Sequence, residues 1–339
     1  MAIVSSTAKS VGATTAAWQL AMKTAIRSAS ELCRRLELPA RYQANAVAAE
    51  RAFSVFAPLG FVAKMRVGDP HDPLLRQVLP LGQELAAKPG FASDPVGDGD
   101  AQIIPGLLQK YNGRVLLITT GVCAIHCRYC FRREYPYHDS MSPNVRWAAA
   151  VEHIAQDATV EEVILSGGDP LTVSDERLTH FVSQLAEIPH VRRLRVHSRL
   201  PIVIPERVTD DLLAWLRGTR LTPIMVVHAN HPREIDSEVS IALGRLVDAG
   251  IPVLNQAVLL RGVNDDVDTL ADLCRRLVDL RVLPYYLHQL DRVAGAAHFE
   301  VPVNRGIELM EQLRGLLPGY AIPRYVQEIP GDLGKHRIA

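Results

Sequence analysis

The sequence has no excess charge of either sign: 37 Lys and Arg residues balance 37 Asp and Glu residues, and the net charge is zero. It contains no block of Lys and Arg, which argues against a nucleic-acid-binding protein. It also lacks any apolar run approaching the roughly 18–20 residues that span a membrane. The N-terminal stretch has no basic start followed by an apolar segment, so we expect no secretory signal.

Cysteine is also scarce, with five residues in the whole chain. An odd and small number does not suit a disulfide scaffold and fits the reducing cytoplasm, where we expect the protein to reside. Cys33 and Cys274 stand alone in helix-like stretches and are interpreted as ordinary buried thiols. The other three, Cys123, Cys127 and Cys130, are close together and must share a binding target or be reduced and idle.

These three cysteines have the spacing Cys-x3-Cys-x2-Cys, within GVCAIHCRYCFRR at residues 121–133. The apolar run at 115–120 before them has the composition of a buried strand, so the thiols leave a strand end on a short loop. Thiolates suit zinc or iron–sulfur clusters, and a closed zinc site normally takes four ligands in paired spacings. A four-iron cluster on three thiolates leaves one iron open, and the x3 gap is typical of radical S-adenosylmethionine enzymes. A zinc site completed by His126 or His138, or accidental clustering, are the alternatives.

The chain is long enough, and with 48% hydrophobic residues apolar enough, for one large α/β domain with a helical extension. Residues 1–15 are rich in Ser, Thr and Ala and are expected to be mobile. Helices are predicted over 16–38 and 41–55, followed by a loop-rich arm at 58–105. Strands are then predicted at 114–119, 162–166, 193–197, 223–228, 252–256 and 283–287. Helices are predicted between and after them at 144–156, 175–187, 206–217, 235–249, 266–280 and 304–316.

This alternation of strands and helices predicts a parallel sheet with right-handed crossovers. Six such units give an open, partial (β/α)6 TIM-like barrel, with residues 1–105 as an N-terminal extension packed on a barrel at 106–339. Chemistry in such barrels gathers at the carboxyl ends of the strands. Polar residues do follow the predicted strands, and histidines near these loops are interpreted as structural or pocket-lining residues rather than metal ligands.

The second predicted strand ends in Ser-Gly-Gly-Asp, with Gly167, Gly168 and Asp169. Paired glycines let the backbone approach a ligand and offer amide groups to it. The alternative is an ordinary strand-to-helix turn in which Asp169 or Ser174 is a helix cap. Next to a radical-type cysteine loop we favour S-adenosylmethionine binding, because the amino group of that molecule needs acceptors.

Several charged residues near strand ends are candidates for substrate binding. Arg132 and Arg133 follow the third clustered cysteine, and at least one of them could hold a carboxylate by a two-pronged hydrogen bond. Asp291 and Glu328 could together recognise a cation if they face one cavity. For the arginines, the alternatives are a solvated pair or a balance for the charge of the cluster. For each acid, the alternative is a salt bridge or a helix cap.

Other candidates concern a phosphate-bearing cofactor. Lys110, Tyr111 and Arg114 precede the first predicted strand and could grip a phosphate, although surface charge beside an aromatic plug is the simpler interpretation. Lys335 follows two glycines near the end of the chain and could form a Schiff base with pyridoxal phosphate. A lysine at this place is more often merely solvated.

Long stretches of the chain resemble the lysine 2,3-aminomutase family of radical S-adenosylmethionine enzymes. The matching runs are KYNGRVLLITTGVCAIHCRYCFRR, VILSGGDPL, LRVHSRLPIVIPERVT, HANHPREI, LNQAVLLRGVND, PYYLHQLDRVAGAAHF and IPGDLGK, spread over about residues 60–335. The phrases DPLLRQVLP, PYYLHQLD and GAAHF are most similar to the branch that supplies (R)-β-lysine for modification of translation elongation factor P.

The resemblance implies three cofactors and the residues that hold them. A [4Fe-4S] cluster is expected on Cys123, Cys127 and Cys130. S-adenosylmethionine is expected at Gly167, Gly168 and Asp169. Pyridoxal 5′-phosphate is expected on Lys335, with contacts from Lys110, Tyr111, Arg114 and Gln256. Lys110 stands where an arginine is more usual in the family.

The resemblance also implies how L-lysine is bound and converted to (R)-β-lysine. Arg132 is expected to bind the α-carboxylate, and Asp291 with Glu328 to hold the side-chain ammonium; Glu328 stands where the family has Asp. An external electron donor such as flavodoxin or ferredoxin is implied, and homo-oligomerisation stays open. The family's C-terminal segment for assembly and zinc binding does not follow Lys335, so we expect neither that form of oligomer nor zinc.

Three other functions compete with this interpretation. The first is a 2,3-aminomutase for another amino acid such as glutamate, whose anionic side chain would not suit Asp291 and Glu328. The second is a non-catalytic iron–sulfur or zinc module, which needs neither Lys335 nor a pair of acids. The third is a radical enzyme that modifies RNA, and the neutral charge argues against it.

Overall fold

A computed structural model describes residues 11–137 and 143–339 of the chain. Residues 1–10 of the expected mobile stretch, and His138 as an alternative zinc ligand, lie outside these ranges. In the part of the chain that the structure describes, no helix combines the length and the apolar character needed to cross a membrane.

The structure is built on one ten-stranded sheet whose strands lie side by side in sequence order. The strands are β1 Gln102–Ile104, β2 Leu107–Tyr111, β3 Arg114–Thr120, β4 Glu162–Gly167, β5 Arg193–Ser198, β6 Thr222–Val227, β7 Val253–Val258, β8 Leu283–His288, β9 Arg324–Gln327 and β10 His336–Arg337. Strands β3 to β9 are parallel, whereas β1, β2 and β10 pair with their neighbours in antiparallel fashion. The predicted open α/β barrel is therefore confirmed, and its six predicted strands correspond to β3–β8.

Helices connect the parallel strands and cover the outside of the sheet. The helices are α1 Val11–Lys23, α2 Ala29–Arg35, α3 Ala40–Glu50, α4 Leu59–Val62, α5 Pro73–Arg76, α6 Pro143–Gln156, α7 Asp175–Glu187, α8 Leu200–Val203, α9 Asp210–Arg217, α10 Ser237–Asp248, α11 Val267–Asp279 and α12 Val303–Leu316. Helix α7 illustrates the amphipathic pattern, because Leu178, Phe181, Val182 and Leu185 form its buried face. Side-chain caps fix several starts, including Thr209 before α9 and Asp266 before α11.

The N-terminal region differs from the prediction at two points. The helix predicted over 16–38 is interrupted, because Ile26 forms a two-hydrogen-bond β-bridge with Ala57 and Ser28 then caps α2. The helix predicted over 41–55 ends at Glu50. The interruption arises from a contact between segments distant in sequence, which overrides the local helical pattern.

The extension contributes buried ion pairs as well as apolar contacts to the barrel. Glu84 is buried with Arg128, whose Nη2 lies 2.5 Å from its Oε2, and Asp72 accepts from Arg233 at 2.6 Å. Strand β1 also joins the extension to the sheet. The division into an extension at 1–105 and a barrel at 106–339 stays a prediction.

The direction of the strands brings the candidate residues together. Because β3 to β9 are parallel, their carboxyl ends meet at one edge, and the loops that leave this edge carry the cysteines, the glycine pair and Asp291. Strand β9 ends just before Glu328, and the β9–β10 pairing returns the chain to Lys335.

Candidate active site

One cavity of about 310 Å³ opens at the carboxyl ends of the strands, a size usual for sites of small molecules. All fourteen residues predicted for the site line this cavity: Cys123, Cys127, Cys130, Gly167, Gly168, Asp169, Lys110, Tyr111, Arg114, Gln256, Arg132, Asp291, Glu328 and Lys335. The extension contributes further lining residues, among them Phe53, Val96 and Asp98.

The cysteine loop leaves β3 and turns back at Cys130, whose backbone N–H donates to the carbonyl of Cys127 at 3.0 Å. The three cysteines are free and partly buried. Burial, with repulsion from the neighbouring thiols, raises the pKa of Cys123 well above its usual value and that of Cys130 to about 11. Bound cations such as the irons of a cluster would instead favour the thiolates, so this set of thiols fits a metal cluster.

The alternative of a zinc site requires a fourth ligand besides the three cysteines. Among residues 11–137 and 143–339, no three His, Cys, Asp or Glu side chains lie close enough together to hold one ion. The alternative zinc ligand His126 bonds through Nδ1 to Ser54, at 3.1 Å from Oγ and 3.0 Å from the carbonyl. The zinc alternative therefore gains no support from the described residues.

The glycine pair at the end of β4 lies against the backbone that leads into the cysteine loop. The N–H of Gly168 donates to the carbonyl of Thr120, and that of Asp169 donates to the carbonyl of Val122, both at 2.7 Å. A Cβ on Gly168 would lie 2.3 Å from the Val122 oxygen. Gly167 has a φ of +116°, and a Cβ there would lie 2.6 Å from the Thr120 oxygen. Both positions thus require glycine, because the two loops touch through their backbones.

The carboxylate of Asp169 is saturated by donors from the protein. It accepts from the Ser198 hydroxyl at 2.7 Å, from the backbone N–H of Arg199 at 2.7 Å and from that of Leu200 at 3.2 Å. It also caps the short turn after β4 by accepting from the N–H of Leu171 at 3.1 Å. Burial raises its pKa to about 6, against the effect of these hydrogen bonds. Asp169 therefore fixes the exit of β5 relative to β4, and the predicted capping role is present.

Of the two arginines after the cysteines, Arg132 lines the cavity whereas Arg133 lies against the buried carboxylate of Glu84 at 3.0 Å. The Nε of Arg132 donates to Asp98 at 2.6 Å, and its Nη1 donates to Ser166 at 3.2 Å. Arg132 is nearly fully buried, and the Asp98 carboxylate raises the pKa of its guanidinium against the effect of burial. The guanidinium is thus held in one orientation at the cavity wall, where a carboxylate could be bound.

The acidic pair lies beside Lys335. The Lys335 ammonium lies 2.6 Å from Oε2 of Glu328, and the Tyr111 hydroxyl donates to Oε1 at 2.6 Å. Burial raises the pKa of Asp291 to about 7, opposed by the Lys335 ammonium and assisted by the Glu328 carboxylate. For Glu328, the Lys335 ammonium and hydrogen bonds outweigh burial and lower the pKa. This corner of the cavity therefore places the ammonium group of Lys335 against carboxylate oxygen.

The three residues predicted to grip a phosphate differ in what they contact. The ammonium of Lys110 lies 2.7 Å from Asp98 and 3.9 Å from Glu328, and it donates to the Val96 carbonyl at 2.8 Å. The guanidinium of Arg114 lies over the ring of Tyr111, 4.5 Å from its centroid. Lys110 thus forms ion pairs with the acidic side chains of the site. Arg114 and Tyr111 instead form a flat, partly cationic surface at the cavity wall.

Histidines and an amide on β5 to β8 line the opposite wall. Within the described ranges, the Nε2 atoms of His197 and His288 are buried without a hydrogen-bond partner, although both side chains line the cavity. Gln256 contacts the Nε2 of His228 through its amide nitrogen at 2.9 Å, and burial lowers the pKa of His228 to about 3. Buried polar atoms are normally paired, so these neutral imidazoles suit a polar, ring-bearing ligand such as a pyridoxal cofactor.

Two functional candidates were not predicted from the sequence. Asp98, in the motif GDGD of the loop-rich arm, joins Arg132 and Lys110, but its partners lie 34 and 12 residues away and no local pattern connects them. Arg199 follows the strand predicted at 193–197, and in the structure its guanidinium contacts Cys127. For Arg199 the Ser-Arg pair directly after a buried strand was a usable signal.

Comparisons with known proteins agree with this arrangement. A model of the Radical SAM superfamily matches residues 117–274. The L-lysine 2,3-aminomutase of Escherichia coli (strain K12) is 42% identical over 319 residues, 94% of this chain and 93% of that protein. The L-lysine 2,3-aminomutase of Haemophilus influenzae is 41% identical over 94% of both chains, and that of Clostridium subterminale is 37% identical over 94% of this chain and 76% of its own length. The chain belongs to the L-lysine 2,3-aminomutase family of the Radical SAM superfamily.

Proposed function

We propose that this protein is an isomerase that converts L-lysine to (R)-β-lysine by moving the amino group from carbon 2 to carbon 3. The observation that carries the proposal is the shared cavity, whose lining includes the cysteine loop, a buried arginine and a pair of acidic residues. Family membership over 94% of the chain supports the same activity.

The cysteine loop is assigned to a [4Fe-4S] cluster held by Cys123, Cys127 and Cys130, with S-adenosylmethionine beside it. When bound and reduced by an external donor such as flavodoxin or ferredoxin, these two groups would supply the carbon-centred radical chemistry of the reaction. The backbone contacts of Gly167 and Gly168 hold the cysteine loop against β4. They fix the position at which the radical is generated.

Lys335 is assigned to hold pyridoxal 5′-phosphate, with Lys110, Tyr111, Arg114 and Gln256 around it. The cofactor supplies a π-system through which the nitrogen migrates. The fit rests on a lysine with a partly buried side chain at the cavity wall, on the Arg114–Tyr111 surface, and on the unpaired imidazoles opposite. The protein's own contribution is orientation and the exclusion of water.

The substrate is assigned to lie between two charged ends of the cavity. Arg132, oriented by Asp98, binds the α-carboxylate, and Asp291 with Glu328 binds the side-chain ammonium. The 2.6 Å contact of Lys335 with Glu328 supports this assignment, because it is itself a contact between a lysine ammonium and that carboxylate. Holding both ends selects the carbon-3 hydrogen that faces the radical. A glutamate side chain would place a third anion against the two acids.

We further propose that the protein acts in the cytoplasm and that its product serves the modification of translation elongation factor P. These proposals rest on the sequence resemblance to that branch of the family. Mass spectrometry of elongation factor P from cells with and without the gene tests the second of them.

The proposed activity is tested with anaerobically purified protein, lysine, reductant, S-adenosylmethionine and pyridoxal phosphate, followed by mass spectrometry of the amino-acid products. We expect β-lysine from the intact protein and none from a Lys335→Ala variant that retains its iron. The exposed Lys88 gives the matched control, and Lys88→Ala should behave as the intact protein. Normal turnover by Lys335→Ala would exclude the assignment of Lys335, and equal activity on glutamate would exclude the role of the acidic pair.

A further inference from the structure

Arg199 lies directly after β5, is buried, and points its guanidinium at one of the three clustered cysteines. Its Nη1 donates to the sulfur of Cys127 at 2.7 Å. The side chain is 7% exposed, so the charge is removed from water and must be balanced by the protein. A buried cation in contact with one sulfur of a three-cysteine set is a feature that the proposed binding of lysine and pyridoxal phosphate does not use.

The other end of the guanidinium is neutralised separately. Its Nη2 donates to Glu234 at 3.0 Å and to the side-chain oxygen of Gln77 at 2.6 Å. Glu234 is completely buried, and its second oxygen accepts from the backbone N–H groups of Asn230 and His231 at 2.9 and 3.0 Å. The carboxylate is therefore fixed in place, and it holds the guanidinium so that Nη1 is left for the sulfur.

The backbone of Arg199 is also fixed. Its N–H donates to Asp169 at 2.7 Å, so the glycine-rich motif determines where the arginine side chain starts. The ring centroids of Phe61 and Tyr129 lie 5.5 and 5.7 Å from the guanidinium carbon, which adds two cation–π contacts. Arg199 is thus held at its backbone N–H, by two rings and at its Nη2. These contacts keep Nη1 at the sulfur of Cys127.

We propose that Arg199 is a positioning residue for the iron–sulfur cluster, and that its hydrogen bond to the Cys127 sulfur raises the reduction potential of that cluster. One-electron reduction adds negative charge to the cluster and its thiolates. A cationic donor at a ligand sulfur stabilises the reduced form more than the oxidised form. The inference rests on the proposed role of Cys127 as a cluster ligand.

The charge arrangement predicts opposite effects for two substitutions. Arg199→Gln removes the cation and should lower the potential. Glu234→Gln removes the anion that compensates the cation, while the side-chain oxygen of Gln77 still accepts from Nη2, and should raise the potential. Arg199→Lys keeps the positive charge but lacks the planar guanidinium that donates to both partners. Its reduction potential should therefore fall between that of Arg199→Gln and that of the intact protein. General damage to the site would move the first two variants in the same direction.

The test is an anaerobic redox titration of the reconstituted full-length protein, followed by electron paramagnetic resonance of the reduced cluster, without S-adenosylmethionine, pyridoxal phosphate or lysine. At the midpoint potential of the intact protein, Arg199→Gln should shift the ratio of reduced to oxidised cluster at least tenfold toward the oxidised form, which corresponds to about 59 mV for one electron. Arg276→Gln, half-exposed on α11, is the matched control and should leave the midpoint unchanged.

Iron and sulfide contents are measured first, so that only loaded proteins are compared. Unchanged midpoints, or shifts of the same sign in Arg199→Gln and Glu234→Gln, would overturn the inference. If Arg199→Gln fails to load iron, the test rests on the other two variants. Arg199→Lys should lower the midpoint potential and Glu234→Gln should raise it. The proposed function fails separately: a protein without β-lysine formation can still show the opposite shifts, and a protein that forms β-lysine can lack them. If neither the intact protein nor any variant loads iron, both the inference on Arg199 and the proposed function are refuted.

Discussion

Replacing Gly168 by alanine tests whether the cysteine loop and the glycine-rich motif form one rigid unit. The new Cβ would lie 2.3 Å from the Val122 oxygen, 2.7 Å from the Val122 carbonyl carbon and 2.8 Å from the Gly121 carbonyl carbon. Ordinary contact begins at 3.4 Å, and all three atoms belong to the backbone. The two loops must therefore separate by about 1 Å, a displacement that can cost about 10²-fold in rate when it moves a reacting group.

We expect Gly168→Ala to lose iron or S-adenosylmethionine binding, and to lower the turnover of lysine by about 10²-fold or more. The strain should also reduce the free energy of unfolding by about 1–3 kcal/mol, as overpacking does in protein cores. Iron content, equilibrium binding of S-adenosylmethionine, the β-lysine assay and urea denaturation give the four measurements.

Gly244 on α10 provides the matched control, because a Cβ there meets nothing within 4 Å. Gly244→Ala should keep full iron content and activity and should stabilise the protein by about 0.5–1 kcal/mol, since alanine suits a helix better than glycine. If Gly168→Ala instead loads iron, binds S-adenosylmethionine and turns over like the intact protein, the close approach of the two loops has no functional importance.

Three further predictions concern the substrate ends of the cavity. Asp291→Asn should raise the KM for lysine roughly 10–100-fold with unchanged iron content, because a charge-assisted hydrogen bond contributes about 1.5–3 kcal/mol; an unchanged KM would contradict the assignment. Burial raises the pKa of Asp291 to about 7, so its carboxylate gains a proton as the pH falls through that value, and the KM for lysine should then rise in the intact protein but not in Asp291→Asn. Asp98→Asn should raise the KM for lysine because Arg132 loses its anionic partner, whereas Asp100→Asn, at an exposed position, should leave it unchanged.

Much of the fold was predictable because its regular parts are determined locally. The buried apolar runs at β3 and β4 and the amphipathic pattern of α7 can be recognised without their partners. The short strands β1, β2, β9 and β10 were not predicted. Strand β10 has only two residues and exists through its pairing with β9, in which Arg337 lies opposite Val326. A strand of that kind carries no periodic signal of its own.

The candidate site shows the same division between local motifs and distant pairings. The cysteine spacing and the Gly-Gly-Asp motif are local, and the sequence sufficed to select them. The residues alone left open which of the two arginines faces the cavity, and only the family resemblance selected Arg132, because Glu84 binds Arg133 across 49 residues and Asp98 binds Arg132 across 34. Such pairings depend on where the loop-rich arm lies on the barrel, which no short stretch of sequence encodes.

The buried ion pairs between the extension and the barrel also constrain how the protein is made. Translation adds Glu84 and Asp98 to the chain before Arg128 and Arg132. A carboxylate cannot be buried without its cation at acceptable cost, so the first hundred residues must wait in an open form. The arm can close only over a barrel that has already begun to form. Expressed alone, it would leave its acids in water and its apolar faces uncovered, a natural target for chaperones and proteases.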